Sequence, residues 1–431
     1  MYELLAELFP ICRSITGDGV RETLQIIKRH IPLEVYEVPT GTPVFDWTIP
    51  KEWNIRDAFI LDEAGNKIVD FKENNLHVVG YSTPLDRWVT LEELQEHLHS
   101  IEEQPDAIPY VTSYYQERWG FCMAHNERVK LGDGKYHVVI DSEIKDGHLT
   151  YGELIIPGQT EREVFLSTYI DHPSMANNEL SGPVVTTFLA RWIMAHPDLR
   201  YTYRIVFVPE TIGSLTYLSR NLDSLKKNVI AGFNISCVGD ERAYSYVRSP
   251  YGDTYADRII RKILQSSHPE FIEYSFLERG SDERQYCSPG IRLPLVAVTR
   301  SKYGTYPEYH TSLDDLTLVS AEGLRGSYAL LQDCIELIER NRVYRITSCG
   351  EPQLGRRGLY PTLSKRDSAR SSRAMKNFIA YADGTNDLIA ISDLINVDVG
   401  DIYGIVEKLL EADLLEVVSA DPGEPASRHQ R

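Results

Sequence analysis

Between residues 160 and 345 the chain alternates between continuous apolar runs and amphipathic stretches. Four runs are apolar at nearly every position, which is typical of strands buried on both faces of a parallel sheet. These runs are Val164–Ile170, Arg204–Val208, Val229–Ile235 and Pro294–Val298. The stretches between them repeat apolar residues at helical spacing, most clearly over 184–193 and 212–218. The alternation predicts an α/β domain with a largely parallel central sheet.

The same pattern divides the rest of the chain. Residues 66–155 carry short β-rich pieces around an aromatic loop, which indicates a β-rich subdomain inserted into an α/β domain of residues 1–65 and 156–349. Residues 350–373 hold Pro, Gly, Ser and Arg without apolar periodicity, as a linker does. Over residues 374–431, three short helical patterns and a β-like end indicate a winged-helix domain.

Composition narrows the classes of function. The 431 residues carry a formal net charge of −18, which opposes non-specific binding to nucleic acid or to an anionic membrane. No apolar run approaches the roughly 20 residues that span a bilayer. The N-terminal segment lacks the basic start of a signal peptide, and the cysteines show no CxxC spacing. We therefore expect a cytoplasmic protein with reduced thiols.

The predicted third helix of the winged-helix domain is the element that reads DNA in such modules. Here it carries Asp401, Glu407 and Glu411, with Lys408 as its lysine. DNA contact would require Arg or Lys facing the phosphates. The pattern therefore favours a protein–protein or intrachain role for this domain, and we expect no nucleic-acid partner.

Candidate catalytic residues come from three separate segments of the α/β domain. His172, with Asp171 beside it, follows the first apolar run, Glu210 follows the second, and His310 comes after the fourth. Since ligands bind beyond the carboxyl ends of parallel strands, these side chains are expected to meet. Neutral imidazole and carboxylate are zinc ligands, which makes the histidines and Asp171 candidate ligands. Glu210 is then a candidate general base for a metal-bound water.

Other residues near these segments have open roles. Asp314, four residues after His310, is expected to hydrogen-bond a ligand or to hold its loop. Tyr303, Tyr306 and Tyr309 precede His310 closely enough for one of them to reach the same pocket, and Tyr309 is the candidate. Arg13, Asp18 and Arg21 either line a pocket or cap the second helix, and capping is the expected role. The alternative for the two histidines is structural, with His172 capping a turn and His310 filling a polar niche.

Two near-identical tetrapeptides, Gly239–Arg242 and Ser281–Arg284, are candidate substrate-binding loops. Their acids, Asp240 and Asp282, suit a metal or an amine. Their arginines, Arg242 and Arg284, suit a carboxylate gripped through two parallel hydrogen bonds. The alternative is a pair of salt-bridged loops without chemistry.

These motifs resemble those of the co-catalytic zinc aminopeptidases. They are more similar still to a bacterial family of aminopeptidase-like proteins with an inserted β-rich subdomain and a C-terminal winged helix. The segments that carry the likeness span nearly the whole chain: Cys12–Thr23, Trp47–Trp53, His172–Gly182, Pro209–Ser214, Cys237–Asp240, Gly280–Gly290 and Tyr306–Asp314. The resemblance implies a zinc-aminopeptidase-like α/β fold, with a mostly parallel sheet flanked by helices.

The resemblance also implies a weakened metal site. Tyr169 stands where the family carries a histidine ligand, although His172 is close enough to replace it. Asn178 falls on the position of the bridging aspartate, and Thr211 on that of a glutamate ligand. Two cations held close together need bridging negative charge. The resemblance therefore implies one zinc ion at most, with the neutral amide of Asn178 as a weak candidate ligand.

Two functions stay open at this point. The first is hydrolysis of an amide bond in a small amino-acid conjugate or short peptide, with Glu210 as base. For this function the resemblance implies a setting in small-metabolite or polysaccharide biosynthesis. The second is a metal-free descendant that binds a ligand or a protein partner, or catalyses amide chemistry without zinc.

Overall fold

The computed structural model describes residues 1–359 and 366–419, which fall into two compact units. The first unit comprises residues 1–252 and 271–331, and the second comprises residues 253–270 and the chain from 332 onwards. The chain passes between them after residues 252, 270 and 331, and the last of these positions lies inside the helix Ala321–Arg340.

An eight-stranded sheet forms the core of the first unit. Its four inner strands are parallel and almost wholly buried, as the continuous apolar runs predict. The strand order is Glu34–Pro39, His148–Ile156, Thr202–Val208, Glu163–Tyr169, Val229–Ile235, Leu295–Thr299, Ser245–Val247 and Ile272–Tyr274. His148–Ile156 and the pair of strands at the far edge run antiparallel to this parallel core. Glu34–Pro39 pairs antiparallel with His148–Ile156. The predicted fold class, mixed α/β with a mostly parallel sheet, is confirmed.

The direction of strand addition reverses at Glu163–Tyr169. The helix Ser181–Met194 leads from this strand to Thr202–Val208 on one side, and Ile212–Asn228 then crosses to Val229–Ile235 on the other. Because parallel crossovers are right-handed, crossovers in opposite directions place their helices on opposite faces of the sheet. A crevice therefore opens beyond the carboxyl ends of the strands before these helices, where such sheets bind ligands.

The second helix of the chain packs against this sheet. The helix Asp18–Lys28 buries Val20, Leu24 and Ile27 at spacings of four and three positions, so one stripe faces the core. Each such aliphatic side chain contributes about 1.5–3 kcal/mol when fully buried. Further helices of the first unit are Tyr2–Leu8, Leu91–Glu96, His125–Arg128 and Glu283–Tyr286.

An antiparallel four-stranded sheet is inserted into the first unit. Its order is Lys67–Asp70, Glu52–Leu61, Lys135–Lys145 and Leu85–Thr90. The predicted limits of 66–155 are shifted, because Glu52–Leu61 pairs inside this sheet while His148–Ile156 pairs with the central one. Two minimal strand pairs complete the unit: Pro43–Val44 with Trp47–Thr48, and Leu98–His99 with Phe121–Cys122.

The second unit contains the winged helix. Its helices are Tyr255–Ser267, Arg366–Tyr381, Leu388–Ile395 and Val399–Glu411, and its strands are Asp383–Asp387, Val343–Ile346 and Leu415–Ser419. The three predicted helices and the terminal strand are present. The domain starts earlier than residue 374, because Val343–Ile346 is the middle strand of its sheet, and a helix begins inside the predicted linker 350–373. Residues 360–365 of that linker and the tail 420–431 lie outside the described residues.

Among the helices described, none is both long and apolar enough to cross a bilayer.

Candidate active site

The crevice at the sheet switch point brings the predicted residues together. Nε2 of His172 lies 3.9 Å from Oε2 of Glu210, and Nδ1 of His172 lies 3.7 Å from Oδ2 of Asp171. The ring centroids of His172 and His310 are 5.4 Å apart. These four residues line one cavity of about 280 Å³. The convergence expected from strand ends therefore occurs.

Glu179 is a site residue that the sequence analysis missed. Its Oε2 lies 3.0 Å from Nδ1 of His172, and its side chain is fully buried. Glu179 lies in a π-helical turn, Ala176–Leu180, a distortion frequent at functional sites. The signal available was its place in the motif His172–Gly182, since it does not follow a predicted strand.

Arg13 joins the site from the N-terminal segment. Its Nε donates to the carbonyl oxygen of His172 at 2.9 Å, and its Nη1 donates to that of Leu8 at 2.8 Å. The same Nε lies 3.6 Å from Oε1 of Glu179, with both side chains fully buried. The helix-capping role expected for Arg13 is wrong, because tertiary packing turns its guanidinium towards the segment after the strand.

The pKa values of the two site histidines are shifted in opposite directions. Burial alone would lower the pKa of His172, but the carboxylates of Asp171, Glu179 and Glu210 outweigh it and raise that pKa. For the three acids, burial is the largest influence and raises the pKa of each. Among the described residues no carboxylate raises the pKa of His310, so burial and then the neighbouring His172 lower it to about 3. An imidazolium and a neutral imidazole therefore lie side by side.

One ring nitrogen of His310 is left without a hydrogen bond by the described residues. This nitrogen, Nε2, is enclosed. The ring is held by Tyr309, stacked at a centroid distance of 3.9 Å, and by Tyr110, edge-on at 5.1 Å. Tyr309 thus positions His310, whereas Tyr110 also lines the cavity.

Tyr169 and Asn178, which stand at weakened ligand positions, bond to each other. The Tyr169 hydroxyl donates to the carbonyl oxygen of Asn178 at 2.7 Å and lies 3.0 Å from Oδ1 of that side chain. The Cys237 thiol lies 3.5 Å from the same Oδ1. The amide oxygen predicted as a weak metal ligand is therefore already in contact with two neutral polar groups.

Asp314 holds the loop that carries Asn178. Its carboxylate accepts from the backbone N–H groups of Asn177 and Asn178 at 2.6 and 2.9 Å, and from the Tyr306 hydroxyl at 3.0 Å. Of the two roles considered for Asp314, the contacts are those of a loop anchor.

The two similar tetrapeptides have different environments. Asp240 accepts from the Asn177 amide, the Arg242 backbone and Ser301, and Arg242 makes a two-pronged pair with Glu308 at 2.8 and 2.9 Å. Neither Asp240 nor Arg242 lines the cavity of His172. This arrangement does not favour their predicted substrate-binding role, because their polar groups bond to other residues of the protein and hold the loop in place.

Asp282 and Arg284, in contrast, contact the active-site turn. Oδ1 of Asp282 accepts from the Thr211 backbone N–H at 2.8 Å and from the Ser214 hydroxyl at 2.7 Å. Asp171 accepts similarly from the backbone N–H of Glu210 at 2.6 Å. The turn that carries the candidate base is thus clamped by two carboxylates. Arg284 donates to Oγ1 of Thr211 at 2.5 Å and lines the cavity.

The donor set fits one divalent cation and not two. Asp171, His172 and Glu179 offer ligand atoms that all lie within 4.8 Å of one another, and all three are buried. A second cation would need the positions of Asn178 and Thr211, whose polar atoms are neutral and already hydrogen-bonded. The described residues therefore supply no negative bridge between two ions.

A larger cavity, of about 800 Å³, lies between the N-terminal segment and the inserted sheet. It contains neither His172 nor Glu210, and its basic residues are paired: Arg21 with Glu52, Arg56 with Asp141, Lys72 with Asp57 and Lys145 with Glu143. The convergence of catalytic side chains lies in the smaller cavity.

Fold and site together define an aminopeptidase-like protein with a C-terminal winged helix. Residues 2–341 match the profile of a domain of unknown function (DUF4910), and residues 342–417 match a winged helix-turn-helix profile. The chain belongs to this DUF4910 family, which confirms the resemblance stated from its motifs.

Relatives and solved structures agree with this assignment. A Clostridium acetobutylicum protein, provisionally named a polysaccharide biosynthesis protein with an aminopeptidase-like domain, is 46% identical over 97% of this chain and 96% of its own. A crystal structure from the same organism, provisionally named a peptidase, is 46% identical with a TM-score of 0.92, covering 97% of this chain and 96% of its own. The zinc aminopeptidase of Bacillus subtilis is 14% identical with a TM-score of 0.56, covering 78% of this chain and 93% of its own. That last likeness is one of fold alone.

Proposed function

We propose that the protein hydrolyses an amide bond of a small amino-acid conjugate or short peptide. The observation that carries this proposal is the meeting of Glu210 with His172 and His310 in one cavity at the switch point of the sheet. Burial raises the pKa of Glu210, which brings a carboxylate closer to the proton affinity that a general base needs near neutral pH.

In this proposal Glu210 takes a proton from the attacking water. Its backbone is held by Asp171, and the next residue, Thr211, is held by Asp282, so the carboxylate is fixed in place. Without a metal, His172 carries positive charge, because its three carboxylates raise its pKa. It can therefore stabilise negative charge that develops on the substrate carbonyl oxygen.

One zinc ion at most belongs to this proposal. Asp171, Glu179 and a deprotonated, neutral His172 would hold it, with Nε2 of His310 as a further donor. When bound, zinc supplies Lewis acidity and lowers the pKa of a coordinated water. Arg13 beside Glu179 reduces the local negative charge, so we expect weak affinity.

Metal analysis of protein purified without chelator or added zinc tests this proposal. We expect at most one equivalent of zinc, reduced by His310→Ala and unchanged by His196→Ala, an exposed histidine outside the site. The same preparation should hydrolyse amino-acid anilides. No bound metal, together with no hydrolysis after zinc is added, would reject it.

A metal-free ligand-binding protein is the second candidate. It is favoured by the bond between Tyr169 and Asn178, because two neutral, hydrogen-bonded side chains occupy positions where the resemblance places metal ligands. Arg13 favours it too, because a guanidinium already neutralises Glu179. In this case the cavity would bind an amino-acid group or a partner, or catalyse amide chemistry without zinc.

The cellular setting is part of the proposal. We place the protein in the cytoplasm, in small-metabolite or polysaccharide biosynthesis, supported by the provisional name of its relative and by the lack of any disulfide among its six cysteines, all of which are described. We propose no nucleic-acid or membrane partner. Asp401, Glu407 and Glu411 are exposed on the third helix of the winged helix, which suits a protein–protein or intrachain contact better than phosphates.

A further inference from the structure

We infer that Arg284 binds a free carboxylate of the substrate, so that the enzyme selects amino-acid conjugates and short peptides that end in a carboxylate. This inference rests on the proposed function, because it concerns the substrate of the same cavity. We assign this substrate-binding role to Arg284 and not to Arg242, although the two arginines occupy nearly identical tetrapeptides.

The guanidinium of Arg284 has spare hydrogen-bonding capacity. Its one hydrogen bond with the described residues runs from Nη2 to Oγ1 of Thr211, at 2.5 Å. Its Nε is buried and has no hydrogen-bond partner among the described residues. The Glu210 carboxylate attracts it electrostatically, but no described carboxylate forms a salt bridge with it. A half-buried cation with five N–H donors is therefore matched to one neutral acceptor.

Two other arginines of the chain have their charge balanced by carboxylates. Arg204 makes three contacts of 2.6 to 2.8 Å with Glu163 and Glu153, and Arg242 makes its two-pronged pair with Glu308. Arg284 lacks any such carboxylate within the described ranges. The planar fork of an arginine matches a carboxylate through two parallel bonds, so the missing partner has the chemistry of a carboxylate.

The threonine at position 211 explains why most N–H donors of Arg284 stay free to bind a ligand. The resemblance places a glutamate ligand at this position, and a glutamate here would offer Arg284 a carboxylate. The threonine hydroxyl engages a single N–H. Its φ of 63° is unusual for a β-branched residue, and the bond from its backbone N–H to Asp282 supports this conformation.

The cavity places the arginine beside the reacting groups. Arg284 and Glu210 line the same space of about 280 Å³, at the lower end of small-molecule sites. Trp47 and Tyr115 form an aromatic rim, with ring centroids 5.9 Å apart. A carboxylate held by Arg284 would thus bring a nearby amide towards Glu210, which limits the substrate to a small molecule.

Calorimetric titration of the full chain tests this inference. The probes are alanyl-alanine and N-acetylalanine, each compared with its C-terminal amide. We expect the wild-type protein to bind the carboxylates at least about tenfold more tightly than the amides, as a charged hydrogen-bonded pair implies. Arg284→Gln should abolish this preference, and Arg284→Lys should retain part of it.

Arg242→Gln is the matched control, because this arginine lies outside the cavity and should leave the preference unchanged. Equal affinity for both probe types, no detectable binding of the carboxylates, or a preference that survives Arg284→Gln would overturn the inference. A melting curve for each variant confirms folding. Because binding preference and anilide hydrolysis are measured separately, an intact preference without hydrolysis would reject the proposed function alone, and hydrolysis without a preference would reject this inference alone.

Discussion

The hydroxyl of Tyr169 donates to the carbonyl oxygen of Asn178 at 2.7 Å and lies 3.0 Å from the amide oxygen of the same residue. Both side chains are buried, and neither carries charge near neutral pH: burial raises the pKa of Tyr169 well above its ordinary range. The resemblance places a metal-ligating histidine and a bridging aspartate at these two positions. A hydrogen-bonded neutral pair therefore stands where a second cation would need charge.

Restoring that charge should strengthen metal binding. We expect Asn178→Asp to bind zinc more tightly than the wild-type protein, because a carboxylate replaces a neutral amide next to the buried donors. Competition against a chromogenic chelator measures the change. Asn178→Ala removes the amide without adding charge and should not increase affinity. Equal zinc affinity for the aspartate and alanine variants would show that this position lies outside the metal site.

Removing the proposed base should affect turnover more than binding. Glu210→Gln keeps the size and polarity of the side chain but cannot accept a proton. We expect kcat to fall by about 10²–10⁴-fold, the usual contribution of a general base, with a much smaller change in KM. Anilide hydrolysis at fixed zinc concentration measures both constants. A kcat within a fewfold of the wild-type value would assign the base to another residue.

His310 should make the metal-free protein sensitive to acid. Its folded pKa of about 3 lies below the ordinary value of about 6.5, so the unfolded chain takes up the proton first. The free energy of unfolding should therefore fall as pH drops from about 6.5 towards 3, by up to about 1.4 kcal/mol per pH unit from this residue. His310→Gln should flatten that slope in urea titrations with chelator present. Parallel slopes for the two proteins would contradict the buried neutral state.

Arg13 and Glu179 should depend on each other for stability. Arg13→Met leaves a buried carboxylate without its guanidinium, and we expect a loss of about 3–5 kcal/mol. The double change Arg13→Met with Glu179→Met should cost less than the sum of the single changes. Tryptophan fluorescence reports on the first unit alone, since it contains all five tryptophans: Trp47, Trp53, Trp88, Trp119 and Trp192.

Arg56→Met is the control for this cycle, because the pair between Arg56 and Asp141 is exposed, so solvent screens it and its loss should change stability little. Additive losses from the Arg13 and Glu179 single variants would show that the two side chains act independently.

Local sequence patterns were sufficient for much of the fold. The continuous apolar runs identified the four inner strands, because a strand buried on both faces has no polar positions to alternate with. Strand ends placed His172 and Glu210 at one edge of the sheet, since parallel strands share the direction of their carboxyl ends. The boundaries of the inserted sheet were less certain, because which strands pair depends on contacts far apart in sequence.

Only the tertiary structure decided which polar side chains meet. Arg242 and Arg284 lie in nearly the same tetrapeptide, yet one is paired with Glu308 and the other faces the cavity with a single neutral acceptor. Glu179 and Arg13 became site residues through packing that no periodicity records. Hydrophobic spacing determines which residues are buried, so the chain alone specified its layers and the edge where chemistry is expected. Partners of buried charges depend on how loops from distant segments fold together, and three-dimensional packing therefore determined the chemistry of the site.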